Sequence, residues 1–163
     1  METDRDLAAI ARQLGDRLFA LGFTLVAAES CTGGWVAKVL TDIPGSSTWF
    51  DRGFVTYSNE AKQEMLGVQA ETLEAHGAVS EETVREMVQG ALKHSRGTMA
   101  LAISGTAGPG GATPNKPLGT VCFAWGHRDG TLWSCRERFE GGRDEVRHQA
   151  VALALEEVLD YLG

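Results

Sequence analysis

Apolar residues at Leu7, Ile10, Ala11, Leu14, Leu18 and Leu21 recur every three or four positions, the spacing of a helix that buries one stripe. This predicts an amphipathic helix from about Asp4 to Leu21, stopped by Gly22. The next apolar run, within Thr24–Ala28, is too short for a helix and is bounded by turn chemistry, so it predicts a buried strand. After Gly33-Gly34 the spacing becomes helical again at Trp35, Val36, Val39 and Leu40, giving a helix over Gly33–Asp42. Ile43 to Ser47 is a turn by composition, and the aromatic and β-branched stretch Trp49–Tyr57 predicts a strand. Short helices follow, one capped by Asn59 and closed by Gly67, the other over Ala70–His76 and ended by Gly77. Ser80 caps a longer helix to about Ser95, with Glu81 and Glu82 in its first turn. Met99–Ser104 is a further strand. A hairpin of Leu118–His127 and Thr131–Phe139 turns at Asp129-Gly130, and a last helix covers Arg143–Leu162. Strands alternating with helices, plus one hairpin, predict a single α/β layered domain over residues 1–163 with a mixed, mainly parallel sheet.

Composition narrows the class. The 163 residues suffice for one core, and 43% hydrophobic with 23% charged residues is ordinary for a soluble globular chain. Fifteen Lys plus Arg against 22 Asp plus Glu give a net charge of −7. No basic cluster stands out, so nucleic acid is not an expected partner. The start lacks a basic segment followed by an apolar run, and no stretch is long enough to span a bilayer; a cytoplasmic location without membrane association is expected. Cys31, Cys122 and Cys135 are an odd count without metal-type spacing, which fits reduced thiols. His76, His94, His127 and His148 are scattered. No metal site is expected.

Three stretches carry candidate chemistry. Ser30-Cys31-Thr32-Gly33-Gly34 follows a strand and opens a helix. Such a turn aims polar side chains off the carboxyl end of a sheet and leaves unpaired N–H groups where negative charge is stabilised. Ser30 or Cys31 is placed there as a nucleophile beside an anion hole; the competing reading is a plain helix cap by Ser30 or Thr32. In the second stretch, a cap at Asn59 puts Lys62 in the first helical turn. The helix dipole there disfavours a cation by only about 0.3–1 kcal/mol, so burial has to do most of any lowering toward a usable base. The alternative is a solvated surface lysine. The third stretch, Gly105–Gly119, holds five glycines and three prolines. Its backbone can approach a ligand closely, yet it lacks the lysine and spacing of a P-loop.

The order of Glu29-Ser30-Cys31-Thr32-Gly33-Gly34, Pro44-Gly45-Ser46-Ser47, Tyr57-Ser58-Asn59-Glu60-Ala61-Lys62, Leu66-Gly67-Val68, Gly77-Ala78-Val79-Ser80, Ala107-Gly108-Pro109-Gly110-Gly111 and Lys116-Pro117-Leu118-Gly119-Thr120-Val121 resembles the CinA carboxy-terminal domain family, the nicotinamide-mononucleotide amidohydrolases. The resemblance covers nearly the whole chain. It implies a three-layer α/β/α domain, a homodimer, and hydrolysis of the nicotinamide mononucleotide carboxamide to nicotinate mononucleotide and ammonia in pyridine-nucleotide salvage. No cofactor is implied. By the same resemblance Ser30 falls on the nucleophile, Lys62 on the general base and Tyr57 on an assisting tyrosine. One departure stands at the last helix, where Gly141-Gly142-Arg143 replaces the family's Gly-Asp-Arg. Arg143 is kept and the capping acid is absent.

A carboxamide is a poor electrophile, so nucleophile, base and oxyanion donors are needed together. The expected arrangement uses Ser30 with neutral Lys62, a serine–lysine variant of the serine triad. Backbone N–H groups among Cys31, Thr32, Gly33 and Gly34, or at Gly105 and Thr106, hold the oxyanion. Arg143 meets the phosphate. Two alternatives accompany this reading: a cysteine hydrolase using Cys31, and a non-catalytic nucleotide-binding or competence and damage-response module.

Overall fold

Strict alternation along the strands sorts the side chains into two separate cores. In the computed structural model, which describes residues 4–163, the chain runs α1 (Asp4–Leu21), β1 (Leu25–Glu29), α2 (Trp35–Thr41), a 3-10 turn (Ser46–Thr48) and β2 (Phe50–Val55). It continues through α3 (Asn59–Leu66), α4 (Ala70–His76), α5 (Glu81–Lys93), β3 (Met99–Gly105), β4 (Thr120–His127), β5 (Leu132–Arg138) and α6 (Arg143–Leu162). The bounds of α1 and α6 coincide with the expected ranges. The hairpin strands are shorter than expected, although Phe139 N still donates to Gly119 O at 2.8 Å beyond their ends.

The sheet order is β2-β1-β3-β4-β5. β1 pairs in parallel with β2 and with β3, whereas β4 runs antiparallel to both β3 and β5. Four strands thus share one direction and β4 alone reverses, because the hairpin joining β4 to β5 follows a loop rather than a crossover helix. Leu25 and Ala27 of β1, Met99, Leu101 and Ile103 of β3, and Val121, Phe123 and Trp125 of β4 face the core under α1, α2 and α6. Val26 and Ala28, Ala100 and Ala102, and Cys122 and Ala124 face the opposite core, under α5. The result is a three-layer α/β/α domain.

The second face is built from small residues, so its helices lie close to the sheet. Within that layer α3 abuts α5 at Gly90, where a Cβ would stand 1.8 Å from Leu66 O. Any side chain at position 90 would push α3 outward, and α3 carries Lys62. No helix among the described residues is long and apolar enough to cross a membrane.

Candidate active site

Alternation decides which way each residue of the central turn points. Val26 and Ala28 of β1 face the α5 core, so Ser30, two residues on, continues that face toward α3. Glu29 and Cys31 turn the other way, Cys31 into the core under α2 and α6. Ser30 is only 7% exposed and Lys62 only 1%. Lys62 Nζ lies 3.0 Å from Ser30 Oγ, 2.9 Å from Thr56 O and 3.4 Å from Tyr57 O. Three oxygens thus accept from the Lys62 amine, one of them the Ser30 hydroxyl. Burial pushes the Lys62 pKa below its ordinary 10.5.

Lys62 is positioned by a short helix with a different cap from the one expected. Ser58, not Asn59, caps α3, its Oγ accepting from Ala61 N at 3.0 Å. Both residues are good caps and they are adjacent, so composition alone does not separate them. Thr56, fully buried, ties this segment to β1 by donating its N–H to Glu29 O at 2.8 Å. The carbonyl that holds Lys62 is thereby referenced to the residue preceding Ser30.

The start of α2 is already occupied. Glu29 is fully buried, and its carboxylate accepts from Thr32 Oγ1 at 2.7 Å, Gly34 N at 3.2 Å, Val36 N at 2.9 Å and Ala37 N at 3.0 Å. An internal anion sits where a substrate anion was expected, satisfying the orphan donors of the helix. Gly33 and Gly34, with φ of +58° and +100°, allow the reversal that brings those N–H groups back over Glu29. A carboxylate just before a Ser/Thr/Gly turn is the signal that points to this role. Glu29→Ala should leave this helix start without its acceptor and destabilise the fold by about 1–3 kcal/mol or more, read as an early thermal melt.

The remaining candidates surround the pair or brace it. Ser30, Cys31, Tyr57, Asn59, Lys62, Ala78, Val79, Ser104, Gly105, Ala107 and Arg143 line one cavity of about 260 Å³. Tyr57 is 62% exposed at its mouth, and its hydroxyl accepts from Arg143 Nη2 at 3.2 Å. Arg143 Nη1 donates to Gly108 O at 2.7 Å, joining the start of α6 to the glycine-rich loop. Among the described residues no acid before Arg143 accepts from the first turn of α6; Glu145 Oε1 accepts instead from Gly142 N at 2.9 Å, the reciprocal half of a capping box. Arg147, one turn on, donates to Cys31 O at 3.0 Å and Thr32 O at 3.3 Å and so clamps the turn after Ser30. Thr106 does not line the cavity, and its N–H donates to Thr120 O at 2.8 Å. The loop is held at its far end by Lys116 on His76 O and Arg136 on Asn115 O.

Cys31 is a poor nucleophile here. Burial pushes its thiol up to about 12, which keeps it protonated at neutral pH. Among the described residues no group of three His, Cys, Asp or Glu side chains is placed to hold a metal ion.

A buried serine and lysine thus lie in hydrogen-bond contact at the carboxyl end of β1 in a three-layer α/β/α domain. A family model of the CinA C-terminal domain matches residues 7–162. The chain belongs to that family. It is 58% identical over 154 residues to the nicotinamide-nucleotide amidohydrolase of Escherichia coli (strain K12), covering 94% of this chain and 93% of that protein. A crystal structure of a competence/damage inducible protein from Agrobacterium tumefaciens superposes with a TM-score of 0.93 at 45% identity, covering 99% of this chain and 97% of that one. A CinA-like protein of Chlorobium chlorochromatii is 52% identical over 134 residues, covering 82% of this chain but 32% of its own length.

Proposed function

We propose that the protein hydrolyses the carboxamide of nicotinamide mononucleotide to nicotinate mononucleotide and ammonia, as a step of pyridine-nucleotide salvage. The 3.0 Å contact between Lys62 Nζ and Ser30 Oγ carries this reading, since it joins a nucleophile to a buried base. Similarity to curated nicotinamide-nucleotide amidohydrolases supports the choice of substrate.

In the proposed sequence neutral Lys62 takes the Ser30 proton as Oγ attacks the carboxamide carbon. The resulting ammonium returns the proton to the departing nitrogen, so ammonia leaves and a nicotinoyl ester remains on Ser30. Water then attacks the ester, giving its proton to Lys62, and nicotinate mononucleotide leaves as Ser30 is reprotonated. The cationic pyridinium of the substrate further favours neutral Lys62. Tyr57, exposed beside the cavity, offers its ring face to the pyridinium. The mechanism requires no cofactor. Homodimerisation in the cytoplasm follows from family resemblance and is part of the same proposal.

Arg143 is assigned to the phosphate because it lines the cavity on the side of the glycine-rich loop. Arg143→Ala should raise KM for nicotinamide mononucleotide about 10- to 100-fold, the equivalent of losing one charge-assisted hydrogen bond of about 1.5–3 kcal/mol. The phosphate-free riboside should be little affected. Equal losses for both would show that Arg143 acts only by holding Gly108 and Tyr57. The function itself is tested by incubating the purified chain with nicotinamide mononucleotide and measuring ammonia; no release would overturn it.

A further inference from the structure

Attack by Ser30 places negative charge on the carboxamide oxygen, and that oxygen needs donors. Thr32 N has no protein acceptor among the described residues, but the other backbone donors of this turn from Gly33 on are committed elsewhere. Gly33 N donates to Ser30 O at 3.0 Å, and Gly34 N, Val36 N and Ala37 N all serve Glu29. Trp35 N donates to Thr32 O at 3.0 Å, and across the cavity Thr106 N donates to Thr120 O at 2.8 Å.

One hydroxyl on the cavity wall is uncommitted. Ser104 is 1% exposed and lines the same cavity as Ser30 and Lys62. Its Oγ makes no hydrogen bond among the described residues and is not one of the sealed polar atoms, so it opens onto the cavity. The register of the sheet sets it beside the nucleophile. Glu29 pairs with Ile103 in the parallel ladder of β1 and β3, so Ser30 and Ser104 are the next residues of the two chains. Ser30 N continues that ladder by donating to Ile103 O at 3.0 Å. Ser30 and Ser104 follow Ala28 and Ala102, two residues earlier, on one face of the sheet, and adjacent strands stand about 4.8 Å apart. On its other side Ser104 faces Cys122 of β4, a neutral thiol and a weak partner. A hydroxyl that opens onto the cavity with no protein partner is free to meet a substrate atom there.

We propose that Ser104 Oγ donates a hydrogen bond to the carboxamide oxygen as it becomes an oxyanion, which makes Ser104 a third catalytic residue beside Ser30 and Lys62. The assignment rests on the amidohydrolase reading. Because the bond strengthens as charge develops, its loss falls on kcat rather than on substrate binding.

The test is steady-state ammonia release by the purified full chain and its Ser104→Ala variant. Ser104→Ala should lower kcat about 10²- to 10³-fold, the effect of removing one oxyanion donor, with KM within about 3-fold of the parent and an unchanged thermal midpoint. Ser104→Cys, close to serine in size but a weaker donor, should also lose kcat. Calorimetry should show equal affinity for nicotinamide mononucleotide in Ser30→Ala and in Ser30→Ala/Ser104→Ala. A Ser104→Ala enzyme with near-parental kcat overturns the proposal while the parent activity stands, as does a loss confined to KM or to calorimetric affinity. A parent chain that releases no ammonia overturns the amidohydrolase reading and this proposal together.

Discussion

Ser30→Ala should reduce ammonia release from nicotinamide mononucleotide by about 10⁴-fold or more, since loss of the nucleophile removes the covalent route altogether. The variant should fold. Ser30 Oγ has one protein contact, accepted from Lys62, and Lys62 keeps Thr56 O and Tyr57 O without it. The stability cost should stay near 0.5–1.5 kcal/mol, about one hydrogen bond. Cys31→Ala is the matched control. Its thiol is turned into the core and held protonated, so most of the activity should survive alongside a modest packing loss. Both variants assayed together, with thermal melts, separate chemistry from folding. Activity persisting in Ser30→Ala and vanishing in Cys31→Ala would move the nucleophile to the thiol.

Lys62→Arg should be as inactive as Lys62→Met. Arginine keeps the positive charge but cannot be neutral at any working pH, whereas the role assigned to position 62 needs a lone pair. For the parent enzyme, kcat/KM should rise with pH as Lys62 loses its proton in the folded protein, and level off above that point. The sign follows from the shift: burial lowers the folded pKa below 10.5, so the neutral fraction at a given pH exceeds that of an exposed lysine. A pH–rate profile of the parent between mild acid and pH 10 checks the direction. A profile that falls as pH rises would assign Lys62 an electrostatic role in its ammonium form, and turnover by Lys62→Arg would do the same.

Local patterns carried much of this architecture, and long-range ones did not. The bounds of α1 were legible because they rest on its own apolar spacing and on a glycine at its edge, Gly22. The strand before Ser30 and the helix after Gly34 were legible for the same reason. The use of the α2 N-terminus was not. Glu29 lies upstream of the turn and folds back across five to eight residues to reach Gly34, Val36 and Ala37, which no periodicity records. The task of Arg147 was equally hidden, because its partners are backbone carbonyls 115 and 116 residues away in sequence. The pairing of Lys62 with Ser30 came from resemblance to a family, and its burial depends on Thr56 and Tyr57, whose carbonyls close over it. Ser104 read only as the end of an apolar strand. Its place beside Ser30 is fixed by the register of two strands separated by more than seventy residues.

A covalent ester on Ser30 can be caught by mass spectrometry of the chain acid-quenched during turnover of nicotinamide mononucleotide. A mass gain equal to the substrate less ammonia should appear, located by fragmentation to Ser30 and absent from Ser30→Ala. The same gain on Cys31, or its persistence in Ser30→Ala, would contradict it.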